Sequence, residues 1–264
     1  MPESDERRAR LLRTIEGEIV PRLVLTKRVS RITGEVVEGL IRAPDEADVA
    51  ELVRLLLAHG PEVAAGYVET VRHRGASLES VCLLLLAPAA RELGLMWEND
   101  ECDFMQVTVG LCRLHQVLRD MSAEWRPDEV SVSAERTILL APVPGEQHTF
   151  GLMLVAQFMR QAGWEVWNEF PDNLAGLLDV VRQHSFAVVG LSVGCDTRLD
   201  DVAALISSIR CASHNRSVAV MVGGPVMVTN PKAACQVGAD ATAADGRCAV
   251  LQAERLFDAL STAH

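Results

Sequence analysis

The stretch Thr137-Ile-Leu-Leu-Ala-Pro-Val-Pro-Gly-Glu-Gln-His-Thr-Phe-Gly151 marks a change from a purely helical pattern to alternating strands and helices. Its first five residues, 137–141, form a short apolar run that predicts a buried strand. Residues 142–148 contain two prolines and a glycine, which predict a loop, and a helix is expected from Thr149 to Ala162. Gly163 closes that helix, and another strand begins directly after it. This order predicts one unit of a parallel sheet.

The same alternation continues to the end of the chain. Further apolar runs predict three more strands, at 186–192, 218–224 and 239–243. The fold class expected for residues 135–262 is therefore α/β, with a flavodoxin-like (Rossmann-type) sheet of five parallel strands. Ligands of such sheets bind beyond the carboxyl ends of the strands, so the loops after Ala141, Ser192 and Val222 should meet at one crevice.

Residues 45–127 show the period of amphipathic helices instead. Four helices are expected, at 45–57, 62–74, 78–93 and 103–125. Their short connections predict a four-helix bundle that forms a cap before the sheet. Residues 127–134 are expected to be a linker.

The segment 1–44 is set apart by its charge. It carries a net charge of +2 and the whole chain carries −11, so the residues after it hold −13. Pro21 interrupts its apolar spacing, and the segment is predicted to be a helical interaction arm. A solvated helix that simply packs on the bundle is the alternative.

The composition excludes several classes of protein. A chain of 264 residues with 49% hydrophobic and 23% charged residues has the ordinary globular mix, which excludes disordered and collagen-like chains. The negative charge after the arm repels a phosphate backbone, so DNA contact is expected only indirectly or through the arm. Because no uninterrupted apolar run reaches about 20 residues, a cytoplasmic protein without a membrane segment is expected.

Three loops of the predicted sheet carry polar residues and glycines. The first reads Glu146-Gln-His-Thr-Phe-Gly151, the second Ser192-Val-Gly194 and the third Gly223-Gly224. A loop imidazole can ligate a metal through one ring nitrogen while a partner fixes its tautomer, and a glutamate two residues earlier can be that partner. The glycines let a bulky group approach the backbone closely.

These motifs resemble the cobalamin-binding domain of methionine synthase and the corrinoid-dependent mutases, in which Asp-x-His-x-x-Gly, Ser-x-Leu and Gly-Gly follow at similar intervals. The resemblance implies that His148 is the lower axial ligand of cobalt and that Glu146 orients it. It also implies that Ser192 hydrogen-bonds the displaced nucleotide tail of cobalamin in a slot lined by glycines. The cofactor-binding residues expected in these loops are Glu146, Gln147, His148, Thr149, Phe150, Gly151, Ser192, Val193, Gly194, Gly223 and Gly224.

Two positions depart from that pattern. Glu146 stands where the family usually has Asp, which adds a methylene and changes the hydrogen bond to His148. Gly194 stands where Leu is common, and we expect it to open space near the tail. The alternative is that His148 only caps its loop and the glycines only turn the chain, as in unliganded flavodoxin-like receivers.

A second resemblance lies in the helical half. The segments 95–114 and 16–23 resemble the PpaA/AerR antirepressors of photosynthesis genes in purple bacteria. This resemblance implies a light- or redox-responsive regulator, not an enzyme, that acts on a PpsR/CrtJ-type repressor. In a capped arrangement Trp97 would lie over the corrin, and three residues of the next helix would line the same cap: Phe104, Val107 and Thr108. Packing inside the bundle is the alternative for all four.

Two other functions would use the same pocket. A corrinoid shuttle protein for methyl transfer pairs the same two domains, and a haem sensor would ligate iron through His148. Cobalamin is favoured over haem because only cobalamin has a nucleotide tail that needs Ser192 and the Gly223-Gly224 gap. His115 is the nearby imidazole of the bundle, and a surface or core position is expected for it.

Overall fold

The computed structural model describes residues 42–124, 135–146, 148–168, 173–194 and 199–261. A helical bundle comes first along the chain, and a layered α/β unit follows it. The predicted arm lies outside the described residues except for its last three positions, 42–44. The predicted linker, 127–134, lies wholly outside them.

Four helical segments form the bundle. They are α1 Glu46–Ala58, α2 Pro61–His73, α3 Leu78–Glu98 and α4 Phe104–Glu124. The sequence prediction ended the third helix at Leu93, but the helix continues through Gly94 to Glu98. A glycine inside a helix costs only about 1 kcal/mol relative to alanine. The turn that follows contains Asp100 with a left-handed φ of 59°.

Helix α3 is the most apolar segment of the bundle, and it contains one π turn, Cys82–Leu86. By length and composition alone α3 could span a membrane, with a mean hydropathy of 1.4, whereas the sequence analysis expected no such segment. Its fully buried residues lie in the core of the bundle: Val81, Cys82, Leu85, Leu86, Ala89 and Leu93. A core helix of a bundle has the same apolar composition.

A buried carboxylate joins α1 to α2. Asp45 and Asp48 form a capping box at the start of α1, in which each side chain accepts from the other residue's backbone N–H. Asp48 is buried, and it also accepts hydrogen bonds from the Tyr67 hydroxyl at 2.8 Å and the Arg74 guanidinium at 2.9 Å. These partners compensate for the loss of water around a buried charge.

Tyr67, the chain's one tyrosine, should make the stability of the bundle fall at alkaline pH. Burial, together with the hydrogen bond to Asp48, raises its pKa from 10.0 to about 12. Because the folded pKa lies above the unfolded one, the stabilisation is complete below pH 10 and is lost as the pH rises through about 12. After a discount for partial exposure, we expect a loss of about 1–2 kcal/mol in the free energy of unfolding.

Tyrosinate absorbance of the folded chain, followed against pH, measures this pKa directly. Urea unfolding at increasing pH measures the stability, with Tyr67→Phe as the control that removes the titrating group. A Tyr67 pKa near 10 in the folded chain would contradict the role assigned to Asp48.

The α/β unit contains five parallel strands in the order β2-β1-β3-β4-β5. The strands are β1 Thr137–Pro142, β2 Glu165–Trp167, β3 Val188–Ser192, β4 Ala219–Gly223 and β5 Ala241–Thr242. The helices are α5 Phe150–Gln161, α6 Leu174–Gln183, α7 Leu199–Ala212, α8 Pro225–Thr229, α9 Lys232–Gln236 and α10 Gly246–Ser261. This strand order is flavodoxin-like, so the predicted fold class is confirmed. The sequence analysis missed α8.

Helices cover both faces of the sheet, because successive strand residues point to opposite sides. Leu139, Val189 and Val220 point into a core that includes residues of α6 and α7. Ile138, Val188 and Met221 point to the opposite side, where they pack with α5 and α10.

Helix α5 joins the bundle to the sheet. One of its stripes lies in the bundle core: Phe150, Leu154 and Phe158. Another stripe packs under the sheet: Leu152, Ala156 and Met159. The loop that precedes α5 is therefore held where the two units meet.

Candidate functional site

Three strands end side by side at the carboxyl edge of the sheet. Pro142 pairs with Ser192, and Ser192 pairs with Gly223. By strand alternation these three residues continue the face that packs against α5 and α10. The Val143 N–H donates to the Ser192 carbonyl at 3.1 Å, and the Val193 N–H donates to the Gly223 carbonyl at 2.9 Å. The three loops singled out in the sequence therefore leave the sheet at one edge.

The loop after β1 places a histidine beside a buried carboxylate. Gly145 turns the chain with a φ of 86°, and the Glu146 N–H donates to the Val143 carbonyl at 2.8 Å. One carboxylate oxygen of Glu146 hydrogen-bonds Nδ1 of His148, and it also accepts from the His148 backbone N–H at 3.1 Å. The side chain of Glu146 is 8% exposed and that of His148 is 76% exposed.

The hydrogen bond to Glu146 determines which nitrogen of His148 is available. A carboxylate accepts, so the neutral ring is assigned its proton on Nδ1, and the lone pair of Nε2 is left for a ligand. The exposed ring can present that nitrogen at the edge of the sheet. A metal already held by a macrocycle takes such a single nitrogen from the protein on one face.

Two glycines near this pair have open space on the side where a Cβ would lie. Among the described residues, a Cβ built at Gly151 would meet no atom within 4 Å, and one at Gly223 would meet only the Ala243 carbonyl oxygen, at 3.5 Å. Ser192 lies beside Gly223 on the neighbouring strand and is half-buried. Its hydroxyl makes no hydrogen bond within the described part of the chain. This face of the edge can therefore admit a bulky group and offer it a hydrogen bond.

Gly224 and Val193 shape the edge through their backbones. Gly224 has a φ of 102°, and a Cβ there would overlap the Val193 carbonyl oxygen. Both the left-handed φ and the close approach require glycine at this position. The Val193 side chain is buried in the core beside α6 and α7, so this residue offers no side chain to the edge.

Gly194 does not open space, contrary to the sequence-based expectation. A Cβ at Gly194 would overlap the carboxylate of Glu146. The space beside Gly194 is therefore filled by the glutamate side chain and is not part of a slot for a tail. The two departures from the family pattern lie in direct contact.

The other residues of the first loop that were expected to bind the cofactor do not all lie at the carboxyl edge of the sheet. Gln147 lies outside the described residues. Thr149 precedes α5 and makes no side-chain hydrogen bond that caps the helix. Phe150 is buried, and its ring packs edge-on against His115 with the ring centroids 5.1 Å apart. Phe150 thus belongs to the junction with the bundle and not to the open edge.

Four large apolar side chains near the turn between α3 and α4 are exposed. Together we call them the cap patch: Leu95, Trp97, Phe104 and Met105. The exposed fraction is 49% for Trp97 and 69% for Phe104, so core packing is wrong for both. Val107 is buried instead, and Thr108 donates its hydroxyl to the Phe104 carbonyl at 2.7 Å. Leu95 and Met105 were not predicted from the sequence as part of the cap. Met105 could have been found, because it is an apolar residue of α4 that lies outside the buried stripe of that helix.

Helix α4 connects the cap patch to the loop that carries His148. Residues three or four apart share one face of this helix: Phe104, Thr108, Leu111 and His115. His115 contacts Phe150, which lies two residues after His148. This face of α4 therefore runs from the cap patch to the start of α5, which follows the loop that carries His148.

Comparisons with known proteins show which class of domain the part of the chain that carries this site is similar to. Residues 136–253 match the family model of the B12 binding domain, and this segment contains the Glu146–His148 pair and the glycine loops. The cobalamin-binding domain expected from the three loop motifs is thereby supported.

Individual proteins are similar to this chain as well, and two of them bear on its function. The first is described as an "Uncharacterized 20.5 kDa protein in bchF-crtJ intergenic region" of Rhodobacter capsulatus, and it is 29% identical over 163 residues, which are 62% of this chain and 84% of that protein. The second is the structure of the Methanosarcina barkeri monomethylamine corrinoid protein, with a TM-score of 0.65 and 16% identity, covering 80% of this chain and 99% of that one. Residues 135–261 are less than half of the chain, so the likeness in fold includes part of the helical bundle.

Proposed function

We propose that this chain binds cobalamin at the carboxyl edge of the sheet, with Nε2 of His148 as the lower axial ligand of cobalt. The observation that carries the proposal is the buried Glu146 carboxylate, which orients an exposed imidazole next to an open, glycine-lined edge. Carboxylate–histidine–metal arrangements are common in metal sites because the carboxylate fixes the ring and strengthens the ligand.

The residues present fit the parts of the cofactor. His148 would supply a nitrogen to cobalt, and the open positions at Gly151 and Gly223 would receive the nucleotide tail, where Ser192 offers a hydroxyl that makes no hydrogen bond within the described residues. Bound cobalamin would supply a cobalt centre whose upper ligand responds to light or to redox state. The protein's own part is to orient one nitrogen and to hold the tail away from the metal.

The cap patch is the surface proposed to cover the upper face of the corrin. Exposed large apolar side chains grouped together mark sites that bind a ligand or a partner. Trp97 and Phe104 present aromatic rings to solvent, and the α4 face below them leads toward His148. A corrin between the cap patch and the sheet edge would remove these rings from water.

Haem is the competing ligand for His148, because imidazole suits iron as well as cobalt. The open space on the α5 and α10 side of the edge favours cobalamin, since haem has no nucleotide tail to place there. Absorbance of the protein after incubation with each cofactor and gel filtration shows which one is retained.

We further propose that the chain is a light- or redox-responsive regulator that acts through a PpsR/CrtJ-type repressor. The similar protein from Rhodobacter capsulatus is described by its place between bchF and crtJ, which agrees with the regulator resemblance of segments 95–114 and 16–23. The chain is proposed to signal and not to catalyse. The test is reconstitution with hydroxo-, methyl- and adenosylcobalamin in the dark and in light, followed by pull-down of the repressor.

A corrinoid shuttle protein is the second candidate, and the likeness in fold to the monomethylamine corrinoid protein favours it. The two candidates differ in the experiment just described. A regulator changes its capture of the repressor between dark and light or between redox states. A shuttle protein transfers a methyl group to or from a methyltransferase and leaves repressor capture unchanged.

Deletion of residues 1–44 should preserve cobalamin binding and abolish capture of the repressor. The arm has a net charge of +2 on a chain of −11, so it is the segment suited to an acidic protein surface or to DNA beside one. Pull-down and gel filtration with cobalamin measure the two properties on the same protein.

A full-length chain with Arg7→Glu, Arg8→Glu and Arg10→Glu serves as the control that changes charge without changing length. Capture of the repressor by the truncated chain would show that the contact lies elsewhere, for example on the bundle.

A further inference from the structure

Glu146 and Gly194 come from different loops, yet their positions depend on each other. Glu146 follows β1 and Gly194 follows β3, so 48 positions separate them in the chain. A Cβ at Gly194 would occupy the place of the Glu146 carboxylate, which is also the group that hydrogen-bonds His148. The carboxylate that orients His148 therefore lies where a side chain at position 194 would be.

We infer that Gly194 is a positioning residue for His148: it allows the longer glutamate side chain to bring its carboxylate to Nδ1 of the imidazole. This inference rests on the proposed function of His148 as an axial ligand and explains how that ligand is oriented in this chain. The two departures from the family pattern are then linked. Glutamate at 146 is longer than aspartate by one methylene, and its carboxylate fits only because position 194 has no side chain.

The alternative explanations for glycine at 194 do not apply. Its φ lies outside the left-handed region, so the backbone accepts any residue there. The three atoms nearest to a new Cβ belong to the end of one flexible side chain, Glu146, in contrast to Gly224, where the overlap is with the Val193 backbone. A side chain at 194 should therefore leave the fold intact and move the Glu146 carboxylate away from His148.

The test is a double-mutant cycle of Gly194→Ala and Glu146→Asp, made in the full chain. Gly194→Ala alone should lower cobalamin affinity by roughly 10–100-fold, the usual cost of losing a partner that orients a metal ligand. The same change should have little effect when combined with Glu146→Asp, because the shorter carboxylate no longer lies in its way. Gly66→Ala in α2, where a Cβ meets no atom of the described residues within 4 Å, is the matched control.

A second measurement does not depend on the cofactor. Nitrogen-15 NMR of the cofactor-free protein reports which ring nitrogen of His148 carries the proton. The unsubstituted chain should show the Nδ1–H tautomer, Gly194→Ala a mixture, and the double variant mainly Nδ1–H again. Gly194→Ala with an unchanged tautomer and unchanged affinity overturns the inference. If no variant or parent binds cobalamin, the proposed function fails, while the tautomer measurement still decides the role of Gly194.

Discussion

His148→Ala should reduce cobalamin retention by about 100-fold or more, because the change removes the ligand and not only its orienting partner, whose loss alone costs roughly 10–100-fold. The nucleotide tail would still fit beside Gly223, so weak binding through the tail is expected to remain. Equilibrium dialysis with hydroxocobalamin measures the affinity. His73→Ala, which removes an exposed histidine on α2, is the matched control.

The identity of the ligand can be read without relying on affinity. In uniformly nitrogen-15-labelled protein loaded with cobalamin in the Co(II) state, an imidazole of the protein bound to cobalt splits the electron paramagnetic resonance lines into doublets. Unlabelled benzimidazole from the cofactor's own tail would split them into triplets. Doublets that disappear with His148→Ala assign the axial nitrogen to His148. Triplets in the parent protein would contradict the proposed site, whatever the affinity.

The order of strands and helices was predictable from sequence because each element here is fixed mainly by local pattern. The apolar runs before Ser192 and Gly223 are continuous, as expected of strands buried on both faces of a parallel sheet. Helix α8 was missed because its five residues, Pro225–Thr229, carry too little periodicity to distinguish a helix from a loop.

The site was predictable in its residues but not in its contacts. The spacing of Glu146 and His148 indicates that the two residues interact. Only the structure shows that the Glu146 carboxylate is buried and bonds Nδ1 of His148, which leaves Nε2 available. The contact of Gly194 with Glu146 joins two loops across the sheet edge, and its detection needs side-chain lengths in three dimensions. The exposure of Trp97 and Phe104 was equally undetermined, because an apolar residue at helical spacing has the same pattern in a core and on a binding surface.

Gly223→Leu should abolish binding of complete cobalamin and spare binding of cobinamide, the corrinoid that lacks the nucleotide tail. The residue lies on the face of the sheet that the tail is proposed to use. Among the described residues, a Cβ built there would make one ordinary van der Waals contact, with the Ala243 carbonyl oxygen. We expect a leucine at this position to extend into that space, while His148 lies in a different loop and is left unchanged. Loss of the slot should therefore exclude the tail, and with it complete cobalamin, while His148 can still bind the cobalt of cobinamide.

Competition between the two corrinoids measures the effect, since the ratio of their affinities cancels any general damage to the fold. Gly66→Leu in α2, whose Cβ position is open in the described structure, controls for a leucine placed at another glycine. Equal losses for cobalamin and cobinamide would place the tail outside this face of the edge. If the ratio of cobalamin to cobinamide affinity is unchanged and haem binds strongly, the cofactor bound by His148 is haem. Haem has no nucleotide tail, so a leucine at 223 should not affect its binding.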